Sequence, residues 1–398
     1  MAKSDNNEND GIIINYIRQN NGKYSKSELA EAMHFPWSTM SITINNLMKD
    51  NHKQLNIEKN ENENKNKYGG KISINPCFQY YVGISVGHSQ IKIVILDFSF
   101  SIVKVESFIN NEIMYKKFGQ FTDEVHKKGF KDFKDFKECK WCCETPNDTE
   151  KIRVKLIELT NSINELKDKN FNIVGIGFAF PEHIDDKSQK IIYSFHEKKD
   201  GGFQNINITS LLSTSLMNTL QANNIQCFIE HNVKCSTIAE KESIVTYKPS
   251  YNAKNIINVY MGRGLSMGLV LNDELYRGNQ NKSGEYGKYR FIDSDICLEE
   301  KLNPDNLSQS KEEKEKFVRL LCFSLCNIIN VLGIDKIIFS GKFDEIFSII
   351  ELPMMNTFYS LNKSDVSLIQ STYGKFSAAV GAAMSCYYKL NNIDFSWN

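Results

Sequence analysis

The stretch Tyr80-Tyr81-Val82-Gly83-Ile84-Ser85-Val86-Gly87-His88-Ser89-Gln90-Ile91-Lys92-Ile93-Val94-Ile95-Leu96-Asp97 decides the fold. It reads as two apolar strands joined by a tight glycine turn at Gly87, and residues 102–109 supply a third strand. The same device returns at 256–270, where Gly262, Gly264 and Gly268 punctuate a second strand–turn–strand, and Leu271-Asn272-Asp273-Glu274-Leu275 adds a turn and the next strand. Between them, Asn172-Ile173-Val174-Gly175-Ile176-Gly177-Phe178-Ala179-Phe180-Pro181 predicts a buried strand whose glycines permit close approach. Lys336-Ile337-Ile338-Phe339-Ser340-Gly341-Lys342 and Ala378-Ala379-Val380-Gly381-Ala382-Ala383 then bring a strand and a small-residue helix. Two related glycine hairpins in separate halves predict an α/β body of two similar lobes around a cleft.

The bulk numbers fit such a body. A chain of 398 residues is too long for one compact core, so two or three domains are expected. Hydrophobic residues make up 41% and charged residues 24%, an ordinary globular composition. With 48 basic and 48 acidic residues the chain as a whole does not advertise a polyanionic partner. No run approaches eighteen apolar residues and the N-terminus is polar, so neither a membrane span nor a signal peptide is expected. Most cysteines stand alone inside apolar segments (Cys227, Cys322, Cys326, Cys386), which reads as reduced thiols in a cytoplasmic protein.

Residues 11–75 differ in character. Ile12, Ile13, Tyr16 and Ile17 form a helical stripe, and Ser25-Lys26-Ser27-Glu28 is a capping box opening a second helix with Leu29, Ala30 and Met33 inward. After Pro36, a third helix carries Trp37, Met40, Ile44, Leu47 and Met48 on one face. Two short helices joined by a tight turn describe a helix-turn-helix, whose free face shows Ser38, Thr39, Ser41, Ile42 and Asn45 to a major groove. Residues 57–71 would be the wing. Residues 1–76 hold ten Lys+Arg against nine Asp+Glu, a net charge of +1 that is small for a domain living on phosphate contacts. Dimerisation, with a second half-site, offsets part of that weakness. The competing reading is a three-helix interaction module with a polar linker.

One block makes a resemblance specific: Glu274-Leu275-Tyr276-Arg277-Gly278-Asn279 followed by Ser283-Gly284-Glu285-Tyr286-Gly287. It resembles the Gly-Lys-Leu-Tyr-Arg-Gly…Ala-Gly-Glu-Ile-Gly-His block of the ROK family (repressors, open reading frames and sugar kinases). Cys297-Leu298-Glu299 resembles the end of that family's zinc loop, and 377–384 its closing helix. The resemblance covers nearly the whole chain. It implies an N-terminal winged helix-turn-helix followed by a bilobal actin-like ATPase fold (ribonuclease H-like, sugar kinase/actin). The expected divisions are 1–75 for the winged helix, 76–200 for the small lobe with an insertion at 110–149, and 201–375 for the large lobe. Residues 376–398 are the closing helix, returning to the small lobe.

Measured against the family pattern, the chain departs at each catalytic station. Glu230-His231-Asn232-Val233-Lys234-Cys235-Ser236-Thr237-Ile238-Ala239-Glu240 occupies the strand-to-helix junction where the family's kinases carry a catalytic aspartate, and Asn232 stands in its place. An amide does not take a proton from a sugar hydroxyl, so the general base is missing. The first phosphate turn has Ser85 where the family has its metal-anchoring aspartate, and keeps Gly87. The second keeps Gly262 and Gly264 around Arg263, and the adenosine-side glycines are reduced to Gly341 between Ser340 and Lys342. Lys288 replaces the zinc-binding histidine, and of the loop cysteines Cys297 alone survives, so no zinc is expected there. The resemblance places sugar hydroxyls against His231, Asn232, Glu285, Glu299 and the position of Lys288, while Glu182 narrows the pocket. The family's recognition helix usually has an arginine where Ile42 stands.

In the insertion, Phe130, Phe133 and Phe136 recur every third residue, and Cys139, Cys142, Cys143 and His126 form no complete ligand set; a packed flap is expected there rather than a metal. The expectation is a cytoplasmic, homodimeric transcription regulator that binds operator DNA and senses a sugar or sugar derivative in a catalytically inactive kinase-like cleft, with no cofactor. The rivals are an ATP-dependent sugar kinase and a scaffold that has lost both DNA and sugar binding.

Overall fold

The computed structural model describes residues 2–49, 53–58, 70–87, 90–109, 171–193, 204–207, 214–251, 253–262, 264–291, 296–302, 310–363 and 365–393. The predicted insertion at 110–149, with its phenylalanines and cysteines, lies outside them, as do Arg263 and the tip of the wing.

The N-terminal unit comprises α1 (Ala2–Gln19), α2 (Lys26–Ala32), α3 (Trp37–Leu47) and an antiparallel pair, β1 (Leu55–Glu58) with β2 (Lys71–Ile74). The capping box forms: the Ser25 N–H donates to Glu28 Oε2 at 2.6 Å, and the Glu28 N–H returns to Ser25 Oγ. Lys71 reaches the same carboxylate at 2.8 Å, tying β2 to α2. Two details of the helical stripes differ from expectation. Ile14 joins Ile13 and Ile17 in the core while Ile12 is exposed. In α3, Met40, Ile44 and Leu47 are buried but Trp37 is 50% exposed, because it opens the helix one turn before the first position the core reaches.

The body follows with β3 (Tyr80–Val86), β4 (Gln90–Leu96), β5 (Ile102–Ile109), β6 (Ile173–Phe180), β7 (His183–Asp185), β8 (Lys190–Tyr193), β9 (Gln204–Asn207), α4 (Thr214–Ala222), β10 (Gln226–His231) and α5 (Asn232–Tyr247). Then come β11 (Ile256–Met261), β12 (Leu265–Leu271), β13 (Glu274–Tyr276), α6 (Leu298–Lys301), α7 (Lys311–Leu332), β14 (Lys336–Gly341), α8 (Phe343–Ser360), β15 (Ser367–Gln370) and α9 (Ser377–Leu390). The first sheet has the order β10-β6-β3-β4-β5 and the second β15-β14-β11-β12-β13. Each is an antiparallel three-strand meander extended by two parallel strands, so the duplicated glycine hairpin of the sequence is a duplicated topology. This is the actin-like plan. The expected start of the second lobe at residue 201 comes too early, since β10 at 226–231 pairs in register with β6, His231 opposite Phe180.

Two helices run between the sheets. From Val233 to Ile244 every residue of α5 is buried, and so is every residue of α9 from Ser377 to Tyr388. Small residues allow this approach: a Cβ at Gly177 would lie 1.9 Å from the Ala382 carbonyl oxygen, and one at Gly381 1.7 Å from that of Cys235. One apolar core joins Ile13, Ile17, Met40 and Ile44 of the N-terminal unit to Tyr81, Val94 and Phe98 of the first lobe and Tyr387 and Tyr388 of α9. A second core packs β11, β12 and β14 against α7 and α8. Among the described residues no helix is long and apolar enough to cross a membrane.

Candidate functional site

The site is built on the β10–α5 junction. His231 caps α5, its Nδ1 accepting the Val233 N–H at 3.3 Å. Burial, with Lys234 beside it, pushes the His231 pKa down to about 3, so the imidazole is neutral. Asn232 follows, and its Oδ1 is buried without a hydrogen-bond partner. Such an acceptor is unusual, because an unpaired buried polar atom costs about 1–3 kcal/mol.

Around these two lies a buried charge cluster that supports the junction. Burial opposes ionisation of Glu230, but Arg277 at 2.7 Å and Lys389 at 3.6 Å outweigh it and hold the carboxyl well below the usual carboxylate range. Glu230 Oε1 also accepts the His231 N–H at 2.9 Å. Lys234 donates to the Asn281 carbonyl at 2.9 Å, and burial brings its pKa down to about 8. Arg277 donates to Asn281 Oδ1 at 3.2 Å, and Asn281 Nδ2 to the Ile184 carbonyl at 3.0 Å. The loop 278–284 is thereby pinned to both lobes. Gly284, at φ +100, makes this possible, since a Cβ there would strike the Met267 carbonyl oxygen at 2.0 Å.

Of the predicted sugar contacts, Glu285 is exposed and acts electrostatically on His183, Lys234 and Lys288. Lys288 and Glu299 form an ion pair with each other, and Glu299 Oε2 accepts the Leu265 N–H at 3.3 Å. Glu285 thus acts on Lys234, two residues beyond Asn232, while Lys288 is taken up by Glu299. Cys297 is buried and donates to Glu300 Oε1 at 3.2 Å.

The glycine turns read from the sequence as degenerate phosphate turns are tight. The Gly87 N–H donates to the Gln90 carbonyl at 2.9 Å, and the Gly262 N–H to that of Gly264 at 3.0 Å. Gly341 sits at φ +69, where a Cβ would meet the Met261 carbonyl oxygen at 2.3 Å. Ser85 is buried at the end of β3. Between the two second-lobe turns lies the ring of Tyr260: a Cβ at Gly262 would be 3.1 Å from Cε1, and one at Gly341 3.1 Å from Cε2. Sequence reasoning did not single out Tyr260, nor Glu230, Lys234, Arg277, Asn281 and His183 as site residues. The available signal was charge inside otherwise apolar segments, as with Glu230 closing a buried strand.

On the N-terminal unit, Ser38, Thr39, Ile42 and Asn45 are exposed on α3, whereas Ser41 is half-buried. Ile42 is 62% exposed, an uncovered aliphatic side chain in the middle of a polar face. Lys26 on α2 donates to Asn45 Oδ1 at 2.5 Å and adds a cation to that face.

Comparison with known proteins agrees with this architecture. A family model described as "ROK family" matches residues 134–298. The xylose repressor of Staphylococcus xylosus is 22% identical over 292 residues, 72% of this chain and 62% of the relative. That of Bacillus subtilis (strain 168) is 24% identical over 283 residues, 70% of this chain and 59% of the relative. The chain thus spans about three fifths of the length of the curated relatives it matches. Among solved structures, a ROK family transcriptional regulator described as a homologue of the E. coli MLC protein superposes with a TM-score of 0.65 at 14% identity, covering 96% of both chains. A ROK family glucokinase from Streptomyces griseus reaches 0.54 at 11% identity, over 77% of this chain and 99% of its own. A ROK family model over part of the body, xylose repressors among the relatives and a two-lobed fold shared with a ROK family regulator and a ROK family glucokinase are thus what this chain is similar to.

Proposed function

We propose that this chain is a sugar-responsive transcription regulator of the xylose-repressor kind, binding operator DNA as a homodimer and taking a sugar in the cleft beside His231 and Asn232. The observation that carries the reading is Asn232 Oδ1, a buried acceptor without a partner at the position where the family's kinases hold their base. A sugar hydroxyl donating to it removes the desolvation penalty, and an amide leaves that hydroxyl protonated. The body therefore binds without transferring phosphate, and the Tyr260 ring between the two glycine turns supports the same conclusion. The exposed face of α3 supports DNA contact, with Thr39 and Asn45 suited to base edges or phosphates and Ile42 to a thymine methyl. The names of the relatives point to xylose as the first sugar to try.

The test is fluorescence anisotropy on DNA from upstream of the protein's own operon, with and without D-xylose, D-glucose and N-acetylmannosamine. Sequence-selective binding whose affinity changes at least about fivefold with one sugar is expected, a coupling of ~1 kcal/mol. Replacing Thr39 and Asn45 by glutamate should abolish binding and leave the urea midpoint unchanged. Sequence-indifferent binding at ~0.1 M salt that the double variant retains would leave the scaffold reading in place. A coupled ADP-release assay should stay silent, and turnover on the order of 1 s⁻¹ or more would make the chain a kinase.

A further inference from the structure

We propose that Arg18 is the latch that couples the N-terminal unit to the cleft, with α5 and α9 as the two levers between them. Its regulatory consequence rests on the sensor reading above, but the latch is a physical claim that stands apart from it.

Arg18 is 4% exposed and belongs to α1, yet nearly all that surrounds it belongs to the body. Its Nε donates to the Phe98 carbonyl at 3.0 Å. Its guanidinium lies 3.9 Å from the ring centre of Phe100, 4.2 Å from that of Tyr387 and 5.2 Å from that of Phe98. Nη1 donates to Asn15 within α1, and Nη2 is buried without a hydrogen-bond partner. A buried guanidinium short of one acceptor forfeits some hydration. An aliphatic side chain in its place would nevertheless keep neither the bond to the Phe98 carbonyl nor the stacking on three rings, so docking of α1 here rests on contacts that this side chain makes.

One further contact joins the same surfaces, and a second ties α9 to α5 beside it. Gln19 Nε2 donates to Glu242 Oε1 at 3.5 Å, and the Tyr388 hydroxyl donates to Glu242 Oε2 at 3.0 Å. Glu242 stands on α5 ten residues beyond Asn232, a distance of about 15 Å along a helix buried for nearly its whole length. At the other end of the levers, Ser236 of α5 bonds Ser377 of α9 at 2.9 Å and Ser340 of β14 at 3.0 Å, while Asn258 of β11 donates to both Ser236 and Thr237. Each helix therefore touches the interlobe cleft with its first turns and the DNA-reading unit with its last. A shift of the second lobe that moves the serine network must drag or slide these helices, and Arg18 with Gln19 lies where they emerge. Packed helices with alternative contacts are the elements that carry such shifts.

Amide hydrogen exchange on the full chain tests this without a sugar or DNA. In Arg18→Met, amides 12–19 should exchange at least about tenfold faster. Amides 233–236, about two turns along α5 from Glu242, should change as well. Arg18→Lys keeps the charge but not the planar stack and should resemble Arg18→Met. By reciprocity, Asn232→Ala should alter exchange at 12–19. Unchanged amides at 12–19 in Arg18→Met would remove the latch. Faster exchange there, with 233–236 and the Asn232→Ala variant silent, would reduce Arg18 to local packing and overturn the coupling. Gln19→Leu, which leaves the buried cation in place, supplies the same readout if Arg18→Met does not fold. Anisotropy with D-xylose separates the two claims: the ratio of DNA affinities with and without sugar should fall towards one in Arg18→Met. A wild-type protein indifferent to every sugar would sink the sensor reading while the exchange experiment still decides the latch.

Discussion

At position 232 an amide oxygen is buried and unpaired, flanked by an imidazole kept neutral and an ammonium kept nearly dry. Two consequences are measurable. His231 has a folded pKa of about 3 against an ordinary 6.5, lowered first by burial. The unfolded chain therefore binds the extra proton between those values, so this contribution to stability is complete above pH 6.5 and is lost as pH falls towards 3. At pH 5 the loss is ~2 kcal/mol. His231→Asn keeps a capping residue and removes the titration, so its stability by urea unfolding should fall less between pH 7 and pH 5 than the wild type's; equal falls would refute the assignment. The second consequence concerns Arg277. Arg277→Met leaves Glu230 buried with Lys389 at 3.6 Å as its nearest cation, and should destabilise by ~3 kcal/mol. Glu230→Gln in the same background should recover part of that, since it removes the stranded charge.

At the scale of elements, the architecture depends on how closely α9 lies on the first sheet. A Cβ on Gly83 would approach the Ala379 carbonyl oxygen to 1.9 Å and one on Gly177 that of Ala382 to the same distance, with backbone rather than a flexible side chain in the way. Gly177→Ala should therefore destabilise by ~1–3 kcal/mol, although alanine is the smallest possible addition. Gly333→Ala makes the control: nothing lies within 4 Å of its Cβ, and its φ of +65 charges only for backbone strain, ~1 kcal/mol. A Gly177→Ala loss no larger than the control's would mean that the helix rides farther from the sheet than these contacts require.

At the scale of the whole molecule, the N-terminal unit and first lobe share one apolar core, so they should not unfold independently. Thermal unfolding of the full chain should show no early transition confined to residues 1–75. The isolated fragment 1–75 should lose the order of α1, since Phe98, Phe100 and Tyr387 around Arg18 lie beyond residue 75. Circular dichroism with amide spectra of the fragment is the check. A fragment with α1 as well protected as in the full chain would contradict the shared core.

What the sequence determined by itself was local and periodic. The glycine hairpins at 80–97 and 256–270 announced two lobes because a tight turn between aliphatic strands needs few neighbours to form. The Ser25–Glu28 box and the Met40/Ile44/Leu47 spacing announced the helices of the N-terminal unit for the same reason. The junction that carries Asn232 was readable for the same reason, as a short apolar strand running into a helix. The tertiary structure alone decided which strands pair across long separations, which is why β10 proved to belong to the first sheet. It also decided which charges meet: Glu230 finds Arg277 forty-seven residues away and Arg18 finds the Phe98 carbonyl eighty residues away. Periodicity reports which face of an element is buried, and carries no information about what buries it. That partner is chosen when the sheets and the two central helices close on one another, and the candidate site and its route to α1 are both made of such choices.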